Sequence, residues 1–226
     1  MTASDPERGW VDAALEEELP ELSLWSLVAG GPTARKSPPE VRKRLGMLAS
    51  RFRGAEAIEL RRRPIPHAYR VFFRQIGLDP DEQRTPAEEA AMQRLMHGGF
   101  ESHGALEDAL LLAVVETGVP IWAIDDATLD GPLGLRMARA GEQRPRADGF
   151  ADDLPAGRLV VADAAGPVAV LFGEPDARHA VTKATERIRL FSLQVGGVPD
   201  VHVEEALWTA IEAAWPDSPE DDPGPR

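Results

Sequence analysis

Few side chains in this sequence are equipped for chemistry, and they are scattered. The five histidines stand at His67, His97, His103, His179 and His202, so a zinc site built from them would need long-range convergence with carboxylates. No metal site is expected. There is no cysteine, which removes disulfides, thiolate nucleophiles and cysteine-based zinc ligation together. Asp125, Asp126 and Asp130 can gather around a hard cation, but three acids in a strand-ending turn equally serve turn hydrogen bonding. The tightest grouping is Ser102, His103 and Glu107. Spaced four apart, His103 and Glu107 would share a helix face, where the imidazole can orient a water or an amine or be no more than a half-exposed histidine near a helix start. HExxH, GxSxG, a Gly-rich phosphate loop with Lys and Ser or Thr, and a DxDxDG calcium loop are all missing from the sequence.

The charge is segregated along the chain. A net charge of −13 argues against nucleic acid, because Lys and Arg contacts to phosphate supply most nonspecific affinity. Yet residues 35–74 carry 12 basic and 3 acidic side chains, a net of +9 that leaves −22 elsewhere. Arg61, Arg62, Arg63 and Arg70, with Arg84 beyond them, are the candidate RNA-binding residues. Either they form one basic face, or they are a solvated surface paired with the acidic remainder. If RNA is the ligand, these side chains should converge on the rim of the site.

The elements that must position these groups follow from punctuation and periodicity. The first 20 residues are acidic and are expected to be mobile, as is the Pro- and Asp-rich tail 216–226. Residues 21–215 then form a single domain. "LSLWSLVAGG" reads as a strand, Ser37 as the cap of a helix with Pro38 first and Phe52 near its end, and "AEAIELR" as a second strand. Tyr69, Phe72, Phe73 and Ile76 have helical spacing and mark a core face. Thr85 and Glu88 make a capping box with Pro86 at the first helical position, and that helix ends at Gly98 and Gly99. Ser102 caps a nearly all-apolar helix stopped by Gly118. "PIWAID", "LGLRMAR", "RLVVAD" and "PVAVLF" are short, β-compatible runs bounded by Gly, Pro or Asp, and a last helix covers Val203 to Trp215. The order of these elements gives an α+β fold with a mixed or antiparallel sheet and packed helices. The longest apolar run, Ala109 to Val115, falls far short of a membrane span. "MTASDPERGW" lacks a signal-peptide pattern, so a cytoplasmic protein is expected.

The order of segments from Tyr69 to Leu193 resembles the editing domain of the phenylalanyl-tRNA synthetase beta subunit, the B3/B4 tRNA-binding domain. "HGGFESHGALEDALLLAVVETGVPIWAIDDATLDGPLGLRMARAGE" and "LVVADAAGPVAVLFGEPDARHAVTKATERIRLFSL" carry it, and "YRVFFRQIGLDPDEQRTPAEEAAMQRL" looks like the leader of free-standing members. The resemblance implies a protein that binds the aminoacyl end of tRNA and deacylates a mischarged species through a positioned water, with no cofactor. It implies neither a DNA nor a membrane partner, and it leaves the oligomeric state open. The alternative is a noncatalytic module of the same fold that binds an amino-acid-like ligand or a protein.

Among the groups present, His103 is the candidate catalytic group on its own chemistry, and Asp108, Asp125, Arg136, Thr182 and Thr185 stand at positions that match the family. Ser102, Asp108, Trp122, Asp125, Arg136, Thr182 and Thr185 become candidates for substrate binding. Asp125 and Arg136 match positions at a strand end and on the following strand, where a pair would brace the sheet or touch substrate. Thr182 and Thr185 would cap a turn or bond an acyl ligand. Four positions depart from the family pattern. Trp122 stands where the synthetases have His, Leu110 and Leu111 where they have Thr-Asn, and Phe191 where a pocket Glu falls. An aromatic ring at 122 can stack on a base or close around an apolar side chain, but it cannot act as a general base.

Overall fold

Alternating strands and a run of apolar helix share one core in this chain, and a computed structural model describes residues 3–30, 36–51, 59–145 and 150–216 of it. The elements are β1 (Glu7–Arg8), β2 (Trp10–Val11), α1 (Ala13–Glu18), β3 (Ser23–Gly30), α2 (Pro39–Arg51), α3 (Pro64–Gln75), α4 (Pro86–His97) and α5 (Ala105–Thr117). They continue with β4 (Ile121–Asp125), β5 (Gly134–Met137), β6 (Gln143–Pro145), β7 (Ala151–Asp153), β8 (Leu159–Ala162), β9 (Pro167–Val170), β10 (Arg187–Gln194) and α6 (Asp200–Ala214). The fold is α+β, as expected.

Two four-stranded sheets carry it. The first has the order β1-β3-β10-β4, antiparallel throughout, and the second β2-β5-β8-β9, with only β2 and β5 parallel. α5 and α6 pack against each other, α6 also meets β10 and β3, and α5 meets β4. Because α5 is apolar nearly all round, it belongs inside, and Ala109, Leu112 and Ala113 are fully enclosed. Its end at Gly118 requires the left-handed backbone found there, φ 78°, which a side chain would strain. The aromatic face of α3 is in the core as its spacing foretold, and the Tyr69 hydroxyl donates to the Leu193 carbonyl at 2.6 Å. Burial pushes that phenol's pKa up.

Several expectations are corrected. Residues 3–20 are not a mobile leader: β1 pairs with β3, β2 pairs with β5, and Leu15 of α1 is buried in the core. The Arg8 guanidinium lies 4.7 Å from the centre of the Trp25 ring and meets Asp200 at 2.7 Å. Acidic composition conceals the apolar residues, Trp10, Val11 and Leu15, that fix this segment. Gly134 leaves room for Trp10, since a Cβ there would sit 2.0 Å from the indole. Strand β10 carries no turn residue to announce it, yet it is the central strand, pairing with both β3 and β4. Its opening alternation of Arg187, Ile188, Arg189 and Leu190 was the available signal. Most of the strand expected at 55–61 lies outside the described residues, and Glu59 and Leu60, at its end, are helical. α2 begins at Pro39, one residue later than expected, and α3 begins at Pro64. Nearly all of the expected tail also lies outside the described residues. Among the described residues, no helix is long and apolar enough to cross a membrane.

Candidate functional site

The segment between α4 and α5 is held by one buried carboxylate. Asp108, in the first turn of α5, is completely enclosed, and it accepts from the Ser102 hydroxyl at 2.5 Å and from the His103 backbone N–H at 2.9 Å. The Ser37 hydroxyl, ahead of α2, also lies within bonding distance of this carboxylate and of the Gly104 carbonyl. Ser102 therefore does not cap α5 as expected; Gly104 occupies the cap position, and both serines serve Asp108 instead. His103 precedes the helix, so it shares no helix face with Glu107. Both still line the same cavity.

That cavity has a volume of about 530 Å³ and lies between α4, α5, β4 and the turn after β9. Its apolar wall is made by Trp122, Phe172, Leu111 and Phe100. Trp122 stacks on the buried Phe191, with ring centroids 5.5 Å apart and planes 18° apart. Phe172 meets Trp122 at 6.2 Å, Tyr69 and Phe72 at 5.9 Å each, and Phe73 at 4.8 Å. It does so from a φ of 60°, a left-handed backbone that costs a residue with a Cβ about 1–2 kcal/mol. Gly173 then completes the turn, its N–H donating to Val170. Phe172 escaped the sequence reading; an aromatic followed by Gly at the end of an apolar strand was the only hint.

Acidic groups dominate the rim. Glu89, Glu101, Glu107 and Glu174 line the cavity beside Arg84, His97 and His103. Glu89 is paired with Arg84 at 3.6 Å and accepts from the Gln93 amide. Among the described residues, Glu101, Glu107 and Glu174 have no side-chain hydrogen bond or ion pair. A second cavity of about 440 Å³ shares Pro86, Ala90, Glu107, Leu111, Trp122 and Glu174 with the first. It adds Leu106, Leu110 and Val114 of α5 and the outer edge of β4. The departures noted at Leu110, Leu111 and Trp122 thus line one connected space, with Phe191 directly beneath.

The remaining expected site residues separate from this group. Asp125 accepts from the Thr185 hydroxyl at 2.7 Å, and Thr185 in turn accepts from the Thr182 N–H at 3.0 Å, so the three build the turn entering β10. Arg136 makes no pair with Asp125. It lies in the other sheet, bonded to Glu142 at 2.6 and 2.8 Å, and it holds that carboxyl below the usual carboxylate range. Of the five arginines expected to face RNA, Arg70 is buried and bonds Glu88 at 2.7 Å and Asp81 at 2.6 Å. Burial works against its charge, but the two carboxylates more than offset this and raise its pKa. That removes it from any RNA surface. Arg61 lies 3.9 Å from Asp81, Arg62 bonds Glu59 at 2.9 Å, and exposed Arg63 immediately precedes α3. Only Arg84 of the five reaches the cavity.

With this geometry in view, comparison with known proteins gives a consistent answer. The family model described as the B3/4 domain matches residues 68–197, more than half of the chain. The chain belongs to the B3/4 domain family. Its relatives include the phenylalanine–tRNA ligase beta subunit of Xanthomonas oryzae pv. oryzae, 38% identical over 118 residues, which are 51% of this chain and 14% of that subunit. The corresponding subunit of Streptomyces avermitilis is 31% identical over 138 residues, 61% of this chain and 15% of the relative. This B3/4 domain therefore matches only about a seventh of the length of these relatives. A solved structure described as the TILS C-terminal domain aligns with 34% of this chain and 70% of its own length, at 21% identity and a TM-score of 0.29.

Proposed function

We propose that this B3/4 domain binds the aminoacyl part of a ligand, taking its ammonium at the rim and its apolar or aromatic side chain against the floor. The observation that carries this reading is the placement of Glu101, Glu107 and Glu174, without protein partners among the described residues, above Trp122 and Phe172 in one cavity. Carboxylates with no protein partner beside an apolar wall can pair with an incoming cation, and a ring of matching shape supplies the remaining contact area. An aminoacyl group presents both features a few bonds apart. Calorimetry with phenylalaninamide and its N-acetyl derivative tests this. The amide should bind, and acetylation, which removes the positive charge, should weaken binding by about tenfold or more. Equal binding of the two would refute the reading.

A second reading is deacylation of a mischarged tRNA, in keeping with the synthetase subunits that the chain resembles. His103 favours it, because the Asp108 bond fixes the backbone that carries the imidazole at the cavity. The acidic rim and the ion-paired Arg61, Arg62, Arg70 and Arg84 weigh against a tightly held tRNA body. Turnover of tyrosyl-tRNA of the phenylalanine type above its spontaneous rate, lost in His103→Ala, would support hydrolysis. No turnover across a panel of charged tRNAs would leave a binding module.

A further inference from the structure

The second cavity is the least expected feature of the site. It adjoins the aminoacyl cavity through shared Leu111 and Trp122, so whatever is attached to a bound aminoacyl group has a second compartment beside it. Among the described residues, its charged lining groups are Glu107 and Glu174, which offer nothing to a phosphate. The rest is apolar: Leu106, Leu110 and Val114 are stacked at four-residue spacing along α5, facing Val181 and Pro175.

Along one side runs β4, the terminal strand of its sheet among the described residues. Ile121, Trp122 and Ala123 all line the groove, and among the described strands β4 pairs with β10 alone. Among the described residues, no backbone group of residues 121–124 is bonded outside that ladder. An open strand edge beside an apolar groove is suited to one more strand, whose backbone bonds the edge while alternate side chains enter the groove. The acidic rim sets the charge of that strand's leading end.

Resting on the aminoacyl reading above, we propose that the ligand is the free N-terminus of an extended peptide. Its ammonium lies among Glu101, Glu107 and Glu174, its first side chain on Trp122 and Phe172, and its next residues pair with the edge of β4 over the Leu106–Leu110–Val114 groove. Length and backbone donors then add affinity beyond that of a single residue, and a blocked N-terminus does not bind.

The test compares four probes by calorimetry on the full chain: phenylalaninamide, a tetrapeptide amide of phenylalanine followed by three valines, the same peptide N-acetylated, and the same peptide N-methylated at its second and third residues. The tetrapeptide should bind about tenfold or more tightly than the single-residue amide, backbone methylation should remove that gain, and acetylation should abolish detectable binding. Val181→Asn, which changes only the groove, should lower tetrapeptide affinity and leave the single-residue amide unchanged. If the tetrapeptide binds no better than phenylalaninamide, or if methylation has no effect, the β4 edge is not a peptide site and the aminoacyl reading stands without it. If neither probe binds, both fail. A charged or uncharged CCA-ended oligonucleotide that binds more tightly than the tetrapeptide would place RNA in the groove and overturn the proposal.

Discussion

Helix α4 faces two very different electrostatic environments. On one side, Glu88 completes the capping box with Thr85 and closes on the buried Arg70, which also holds Asp81. The very next residue, Glu89, belongs to a rim of carboxylates of which three have no partner among the described residues. The first cluster is paired and serves the fold. In the second, Glu101, Glu107 and Glu174 are exposed and contribute no pairing to the fold among the described residues, which leaves them available to the cation proposed above. Pairing, more than charge, separates the acids that hold the fold from those that do not, and the same criterion sets Arg70, enclosed by two carboxylates, apart from the exposed basic side chains of its segment.

Breaking the structural side should produce the largest effect. Glu88→Ala leaves the Arg70 guanidinium buried beside a lost cap and should cost about 3–5 kcal/mol of stability, whereas Glu88→Gln, which keeps a capping acceptor, should cost less. Urea denaturation measures both. On the rim the expectation reverses: replacing Glu101, Glu107 and Glu174 together with Gln should change stability by no more than about 0.5 kcal/mol per residue. The same variant should lose about tenfold or more in affinity for phenylalaninamide. A rim variant that unfolds while Glu88→Ala stays stable would invert the comparison.

His179 sharpens it further. It is buried, its Nδ1 lies 2.8 Å from the Thr128 hydroxyl, and burial, reinforced by the neighbouring Arg178, lowers its pKa from 6.5. Below pH 6.5 the unfolded chain binds a proton that the folded chain refuses, so stability falls as pH drops through that window and recovers as pH rises. Thermal melts from pH 7 to 5 should show this slope, and His179→Gln should flatten it. An unchanged slope in the variant would remove His179 as its source; the paired carboxylates Asp81 and Glu142, held below 3.8 and 4.5, lose their stabilisation only at still lower pH.

Local signals made much of the fold legible. The Thr85–Glu88 box, Gly118, the α3 aromatic stripe and five of the six longer strands declare themselves within a few residues. Strand β10 and the N-terminal strands do not, because their positions depend on partners far along the chain: Phe191 on Trp122, and Trp10 on Gly134. The site divides in the same way. Ser102, His103, Asp108 and Trp122 could be named from sequence and do converge, whereas Ser37 and Phe172 become visible only through tertiary contacts. Arg70 was misjudged because sequence shows a charge without showing the two carboxylates that enclose it.

The most direct measurement is calorimetry with three probes that share one aromatic body and differ only in charge: phenethylamine, phenylethanol and phenylacetate. If the unpaired rim defines the ligand, the amine binds most tightly, the alcohol less so and the carboxylate least, with the amine's advantage shrinking as salt is added. Tightest binding of phenylacetate, or equal binding of all three, would contradict the central claim that this cavity is built to receive a cation.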